Sequence, residues 1–145
     1  MVTMNPHEVD GRRIGNIGEA MALTAFVKLG IPVYKPFGDA EAADLVVDIK
    51  GLKKVQVKAS SKFGRSGVSV MFQVMHSGCE RVYSKQEADY FALVDLIHDK
   101  VFLVENDGCT KSISIAFDPT ARRTSLTRWE EDYEIDKVVA RLTEG

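Results

Sequence analysis

Residues 43–58 read Ala-Asp-Leu-Val-Val-Asp-Ile-Lys-Gly-Leu-Lys-Lys-Val-Gln-Val-Lys, and this alternation constrains the fold more than any other feature of the chain. Successive side chains on a strand point to opposite faces. With a three-residue turn over Lys50, Gly51 and Leu52, the apolar Leu45, Val47, Ile49, Val55 and Val57 share one face. Asp44, Asp48, Lys54, Gln56 and Lys58 share the other. A slip of one residue would mix the two sets, so the pattern specifies an antiparallel hairpin with one buried side. In this register Asp44 lies opposite Lys58 and diagonal to Gln56, at separations of ~5 Å and ~7–8 Å. Asp48 and Lys54, nearer the turn, are expected to form a plain cross-strand ion pair. A cation bridging the Asp44 carboxylate and the Gln56 amide oxygen, with the Lys58 ammonium beside it, has the makings of metal-assisted phosphodiester hydrolysis.

The remaining elements follow from periodicity and punctuation. Asn5-Pro6 is a helix cap followed by a first-turn proline, and Ile14, Ile17, Met21, Ala25 and Leu29 recur at helical spacing up to the stop at Gly30. Gly11, Gly15 and Gly18 each weaken that helix by ~1 kcal/mol relative to alanine, which implies a close approach to its backbone. Glu19 lies well round the helix from Ile17 and Met21 and can point to a sheet edge. Residues 31–34 form a short strand and residues 35–43 a loop, in which Asp39 and Glu41 are bystanders. Residues 68–75 read as a strand with Val68, Val70, Phe72 and Val74 on one face. Ser84-Lys85-Gln86-Glu87 is a capping-box pattern able to open one helical turn. Residues 89–97 and 101–105 form a second hairpin, residues 112–117 a last strand. Thr127-Arg128-Trp129-Glu130 is a further capping box, opening a terminal helix that carries Trp129, Tyr133, Val138, Val139 and Leu142. This order gives an α/β sandwich with a mixed central sheet between an N-terminal and a C-terminal helix.

The 145 residues, 45% of them hydrophobic, suit one domain over residues 1–145. No apolar run approaches the ~18 residues of a membrane span and no secretory leader opens the chain, so a cytoplasmic or nucleoid-associated, non-secreted protein without a membrane partner is expected. Cys79 and Cys109 belong to no metal or redox pair and are expected as reduced, buried thiols. His7, His76 and His98 lack partners at zinc-ligand spacing. No phosphate-cradling glycine loop is present, which argues against a nucleotide cofactor. Net charge is only -2, yet six bases and no acid fall between Lys50 and Arg65, whereas residues 130–136 carry five acids and no base. The basic segment suits phosphates and the acidic one is expected to stay in water. Ser60, Ser61, Lys62 and Arg65 directly follow the proposed triplet and are candidate nucleic-acid contacts, with Arg12 and Arg13 extending the track.

The spacing of Asp44 and Gln56-Val57-Lys58 resembles the PD-(D/E)XK nuclease superfamily, with its acidic residue at a strand start and acidic-x-lysine triplet on the next strand. Gly15-Asn16-Ile17-Gly18-Glu19-Ala20 resembles the preceding helix of that group, and residues 30–38 its first strand. The likeness is greatest to Holliday-junction resolvase-like nucleases and to the group I intron homing endonucleases that carry glutamine in the triplet. Residues 88–94 and 101–104 are similar to the later strands of the homing group. Ala43 replaces the signature proline and Gln56 an acidic residue, which removes a formal charge but leaves an oxygen ligand for a hard cation.

The resemblance implies a restriction-endonuclease-like α/β fold, a Mg2+ cofactor with Mn2+ as substitute, and DNA as substrate. Asp44 is then the central ligand, with the Gln56 side-chain carbonyl, the Val57 main-chain carbonyl and Glu19 as further metal ligands. The implied catalytic set is Asp44, Gln56, Lys58 and Glu19, Lys58 orienting the attacking water and stabilising charge on phosphorus. One site per small subunit implies a homodimer or a larger homo-oligomer for a double-strand cut. The alternatives are a catalytically inactive nucleic-acid-binding protein on the same fold, or an interaction domain whose polar hairpin face is simply solvated.

Overall fold

The computed structural model describes residues 11–38 and 42–144; the Asn5-Pro6 cap, His7, Asp39 and Glu41 lie outside the described residues. Helix α1 (Gly11–Lys28) leads to β1 (Val33–Tyr34), β2 (Leu45–Asp48) and β3 (Leu52–Ser60), followed by β4 (Ser69–Gln73), β5 (Tyr90–Asp95), β6 (Lys100–Glu105) and β7 (Ser112–Ala116). The chain closes with β8 (Arg128–Trp129), α2 (Glu130–Tyr133) and α3 (Ile135–Thr143). A five-stranded sheet runs β1-β2-β3-β5-β6, and β4-β7-β8 form a three-stranded one. The larger sheet is mixed: β3 and β5 are parallel, and the other neighbours antiparallel. Among the described residues no helix is long and apolar enough to cross a membrane.

Two cores lie on opposite faces of the large sheet. On one, Ala22 and Phe26 of α1 and Val138 and Val139 of α3 pack on Leu45, Val47, Val55, Ala92 and Leu103. On the other, Val70, Phe72, Ile113 and Ile115 of the small sheet meet Phe91, Leu93, Phe102 and Val104. Strand β5 is covered on both sides, so its run Phe91-Ala92-Leu93-Val94 is continuously apolar and wholly buried. Strands β4 and β7 are covered on one side and alternate.

The hairpin keeps the expected faces with a different register. Leu45 pairs with Val55 and Asp48 with Leu52, so the turn spans Ile49, Lys50 and Gly51. Lys50 and Gly51 both take positive φ, 53° and 117°, and the Asp48 Oδ1 accepts the Gly51 N–H at 3.0 Å. Glycine tolerates the left-handed backbone that leucine resists, so Leu52 joins the strand instead. The resulting shift is two residues, an even number, which preserves the sorting of side chains. It also removes the expected Asp48–Lys54 pair: Lys54 Nζ reaches the Gln86 carbonyl at 3.0 Å.

Three other expectations are corrected. Cys79 and Cys109 are free but exposed, because both sit in loops rather than on buried strand positions. The terminal helix is not capped by Thr127, whose Oγ1 donates to the Arg122 carbonyl at 2.7 Å. Arg128 and Trp129 are drawn into β8 beside β7, and Glu134, with ψ 135°, breaks α2 from α3. The acidic stretch is not wholly given to water either, since Lys100 Nζ lies 3.2 Å from Glu130 and 3.4 Å from Glu134. By contrast, Ser84 and Glu87 form the reciprocal capping box, the Ser84 N–H donating to Glu87 Oε1 at 3.0 Å and the Glu87 N–H to Ser84 Oγ at 3.2 Å.

Candidate active site

Asp44 stands at the mouth of the hairpin, one residue before β2. Its N–H donates to the Val55 carbonyl at 3.0 Å, and its Oδ2 accepts the Val57 N–H at 2.9 Å. Carried one step past Leu45–Val55, the register sets Asp44 beside Gln56, with Lys58 on the diagonal. An extended residue turns its N–H and C=O to the same edge. The Val57 carbonyl is therefore directed to the edge on which Asp44 lies, as is the Val55 carbonyl that Asp44 uses. Burial raises the Asp44 carboxyl above the usual aspartate range, and the nearby Glu19 charge adds to this; the Val57 N–H, Lys58 and Lys35 oppose it.

Glu19 reaches the site because α1 lies almost on the β3 backbone. Gly18 is buried, and a Cβ placed there would stand 2.8 Å from Ala59 Cβ. Only glycine permits this approach, which accounts for its presence inside a helix that it weakens; Gly11 and Gly15 have no such neighbour. The Glu19 carboxylate is paired with Lys35 Nζ at 2.5 Å. Lys35, from the loop after β1, also feels the Asp44 charge, so two carboxylates and two ammonium groups share one electrostatic neighbourhood.

Lys58 is held by groups from outside the hairpin. Its Nζ donates to the Met75 carbonyl at 2.8 Å and lies 5.1 Å from the centre of the Tyr83 ring. Tyr83 is in turn stacked on His76, with ring centres 3.8 Å apart. His76 and Arg81 both lie 3.2 Å from Glu87, whose capping role fixes it to Ser84. Burial lowers the Lys58 pKa while Asp44 supports its charge, and burial pushes the Tyr83 phenol up to about 12, helped by Asp44 and Glu87. Met75, Tyr83, His76 and Lys35 carry no sequence signal linking them to the triplet: they meet it only through folding.

Gln56 is 7% exposed, and its Oε1 is buried with no hydrogen-bond partner. Leaving a buried amide oxygen unpaired costs ~1–3 kcal/mol. Together with the Asp44 and Glu19 carboxylates and the Val57 carbonyl, it makes an all-oxygen donor set suited to a hard divalent cation. Among the described residues no three His, Cys, Asp or Glu side chains converge on one point; for a cation held here, the Gln56 amide would supply what a third carboxylate otherwise does. His98 is occupied by Asp95 at 2.7 Å and lies on the other side of β5 from the triplet's strand.

The candidate nucleic-acid residues fall on two segments, the stretch from the end of β3 and the first turn of α1. Ser60 ends β3, its Oγ donating to the Met71 carbonyl at 2.6 Å and accepting the Lys62 N–H at 3.0 Å. Ser61, Lys62 and Arg65 are exposed on the segment that follows, which is tied along β4 by the Met71 N–H to Lys62 carbonyl bond of 2.9 Å. Arg12 and Arg13 are exposed in the first turn of α1.

A sequence model of the family described as PD-(D/E)XK endonuclease matches residues 9–136, nearly the whole chain. The protein belongs to the PD-(D/E)XK endonuclease family. Its fold is that of a restriction-endonuclease-like α/β protein: the bacterial homing endonuclease I-Ssp6803I superposes with a TM-score of 0.67 at 22% identity, covering 93% of this chain and 92% of the other. No curated protein matches the chain in sequence. Asp44 and Gln56-Val57-Lys58, whose spacing resembles the PD-(D/E)XK pattern, are brought together by one strand pair.

Proposed function

We propose that this PD-(D/E)XK protein is a divalent-metal-dependent DNA endonuclease of the homing type, cutting phosphodiester bonds as a homodimer or larger homo-oligomer. The observation that carries the reading is the orphaned Gln56 Oε1, buried beside Asp44 and on the strand that presents Lys58. Asp44, Gln56, the Val57 carbonyl and Glu19 would hold magnesium, or manganese in its place. Such an ion supplies Lewis-acid charge and lowers the pKa of water.

The chain's own groups do the rest. Asp44 and Glu19 fix the negative charge of the centre, and the Val57 N–H holds the Asp44 carboxylate in place. Lys58, beside Asp44 and anchored by the Met75 carbonyl, directs its remaining N–H bonds to the phosphoryl oxygens and the attacking water. A donor fixed before the reaction begins loses nothing to reorganisation as charge develops. The homing assignment draws support from the glutamine in the triplet and from the structural neighbour.

The test is incubation of purified protein with supercoiled, linear and branched DNA, with and without magnesium. Cleavage is expected only with the ion, and Asp44→Ala should abolish it. Lys58→Ala should lose at least ~10²-fold in single-turnover cleavage and still bind DNA. Retained cleavage by Lys58→Ala removes Lys58 from the mechanism. Salt-sensitive binding with no cleavage under any condition would select an inactive nucleic-acid-binding protein instead.

A further inference from the structure

The outward face of the small sheet plays no part in the chemistry above. Val70, Phe72, Ile113 and Ile115 point into the core, which turns Ser69, Met71, Gln73, Ser112 and Ser114 the other way. Pairing sets Gln73 beside Ser112 and Met71 beside Ser114. A strand face left to water commonly carries lysines and glutamates. On β4 and β7 this one has no charge of either sign, only hydroxyl, amide and thioether groups, with Arg128 of β8 lining the cleft beside Ser69 and Ser114. The side chains of Ser69, Gln73, Ser112 and Ser114 enter no hydrogen bond among the described residues.

Cations stand around the face rather than on it. Lys62 lies at one edge, its carbonyl bonded to the Met71 N–H, and Lys111 at the end, its carbonyl bonded to the Val74 N–H at 2.9 Å. Arg122 shares a cleft of about 240 Å³ with Ser69 and Ser114. All three cations are exposed. The face is also continuous with the candidate active site. Gln73 and Lys58 line one cleft of about 580 Å³, and Gln73 and Met71 line another with Ser60 and Lys62.

We propose that this face reads DNA sequence: it seats in a groove of the duplex beside the scissile phosphate, a role that rests on the nuclease reading above. Gln73, Ser112 and Ser114 bond base edges, Met71 packs on a thymine methyl, and Lys62, Lys111 and Arg122 hold the flanking phosphates. A two-stranded antiparallel ribbon fits the major groove, where glutamine pairs with adenine and serine with several bases. Phosphates are held by cations and carry no sequence information, so a surface made only for the backbone would be charged at its centre. A protein-docking face would be apolar or aromatic there.

The test selects bound DNA from a randomised duplex pool, using the full chain with Asp44→Ala to prevent cutting, and sequences it. The starting protein should enrich a motif. Adding Gln73→Ala with Ser114→Ala should lower the ratio of affinity for that motif over a scrambled duplex by about 5- to 100-fold, the range of one or two base pairings. Lys111→Ala and Arg122→Ala should weaken both duplexes together and reduce the salt dependence by ~0.9 for each phosphate that the variant leaves unneutralised. Crosslinking to 5-iodouracil DNA should label this face, a readout that survives any folding defect of the variants. An unchanged motif in the double variant, binding without any motif, or crosslinks confined elsewhere overturns the face as reader while leaving the nuclease intact. Failure of the starting protein to bind DNA at all overturns the nuclease reading itself.

Discussion

Among the described residues two side-chain amides are buried, Asn106 and Gln56, and they are treated in opposite ways. Asn106, 3% exposed, is saturated. Its Nδ2 faces the carbonyls of Tyr83, Ser84 and Ala88 at 3.1, 3.1 and 2.9 Å, and its Oδ1 accepts the Gly108 N–H at 2.9 Å. Gln56 is nearly as buried, and its Oε1 accepts nothing. A satisfied buried amide pins neighbouring loops and stabilises the fold. An unsatisfied one is a local cost, and here it stands beside a carboxylate already strained by burial and by a second carboxylate. Asn106 organises the loops behind Tyr83; the Gln56 Oε1 organises nothing in the fold.

The largest expected effect separates these two amides. Asn106→Leu leaves several carbonyls and one N–H unpaired and should cost about 3 kcal/mol in urea unfolding. Gln56→Leu deletes the orphan and should leave stability unchanged or raise it by up to ~1 kcal/mol. Magnesium is expected to raise the thermal midpoint of the unaltered protein, and Gln56→Leu should abolish that rise. Equal destabilisation by the two substitutions would break the comparison.

A smaller pair sharpens the same division along α1. Gly18→Ala should destabilise by ~1–3 kcal/mol, because its Cβ meets Ala59 and pushes the helix away, and magnesium-dependent cleavage should fall as Glu19 is carried from Asp44. Gly15→Ala has open space and should stabilise by up to ~1 kcal/mol. Matched chemical denaturation of the two variants reads the difference directly.

The smallest effect is electrostatic. Folding raises the Asp44 pKa, so the folded state keeps that proton to higher pH than the unfolded chain does. Its contribution to stability is therefore present at low pH and is lost as pH rises from the ordinary aspartate value through the raised one. Asp44→Asn should flatten that portion of the stability profile and be more stable than the unaltered protein at neutral pH. A profile identical in the two proteins would show that Asp44 is not held under strain.

The fold was legible where burial is one-sided or complete. Alternation marked β2, β3, β4 and β7, and the unbroken apolar run marked β5, because side-chain direction on a strand has period two. The C-terminal segment was less legible: a capping-box pattern at Thr127 competes with strand pairing to β7, and the sheet prevails by engaging Arg128 and Trp129. The site divides in the same manner. Asp44, Gln56, Val57 and Lys58 lie on one hairpin, within reach of a local pattern. Lys35, Met75 and Tyr83 reach Glu19 and Lys58 across long stretches of chain, 17 residues in the Lys58–Met75 bond, and no local rule links them.

The sequence by itself determined which groups share the polar face of the hairpin, since parity along a strand survives even a two-residue shift in pairing. Only the tertiary structure decided that Gln56 would be stripped of partners, that Lys58 would hang from the Met75 carbonyl over Tyr83, and that Glu19 would come within electrostatic reach of Asp44. Those outcomes depend on desolvation and on the close seating of Gly18 against Ala59, and both exist only when distant segments are packed together.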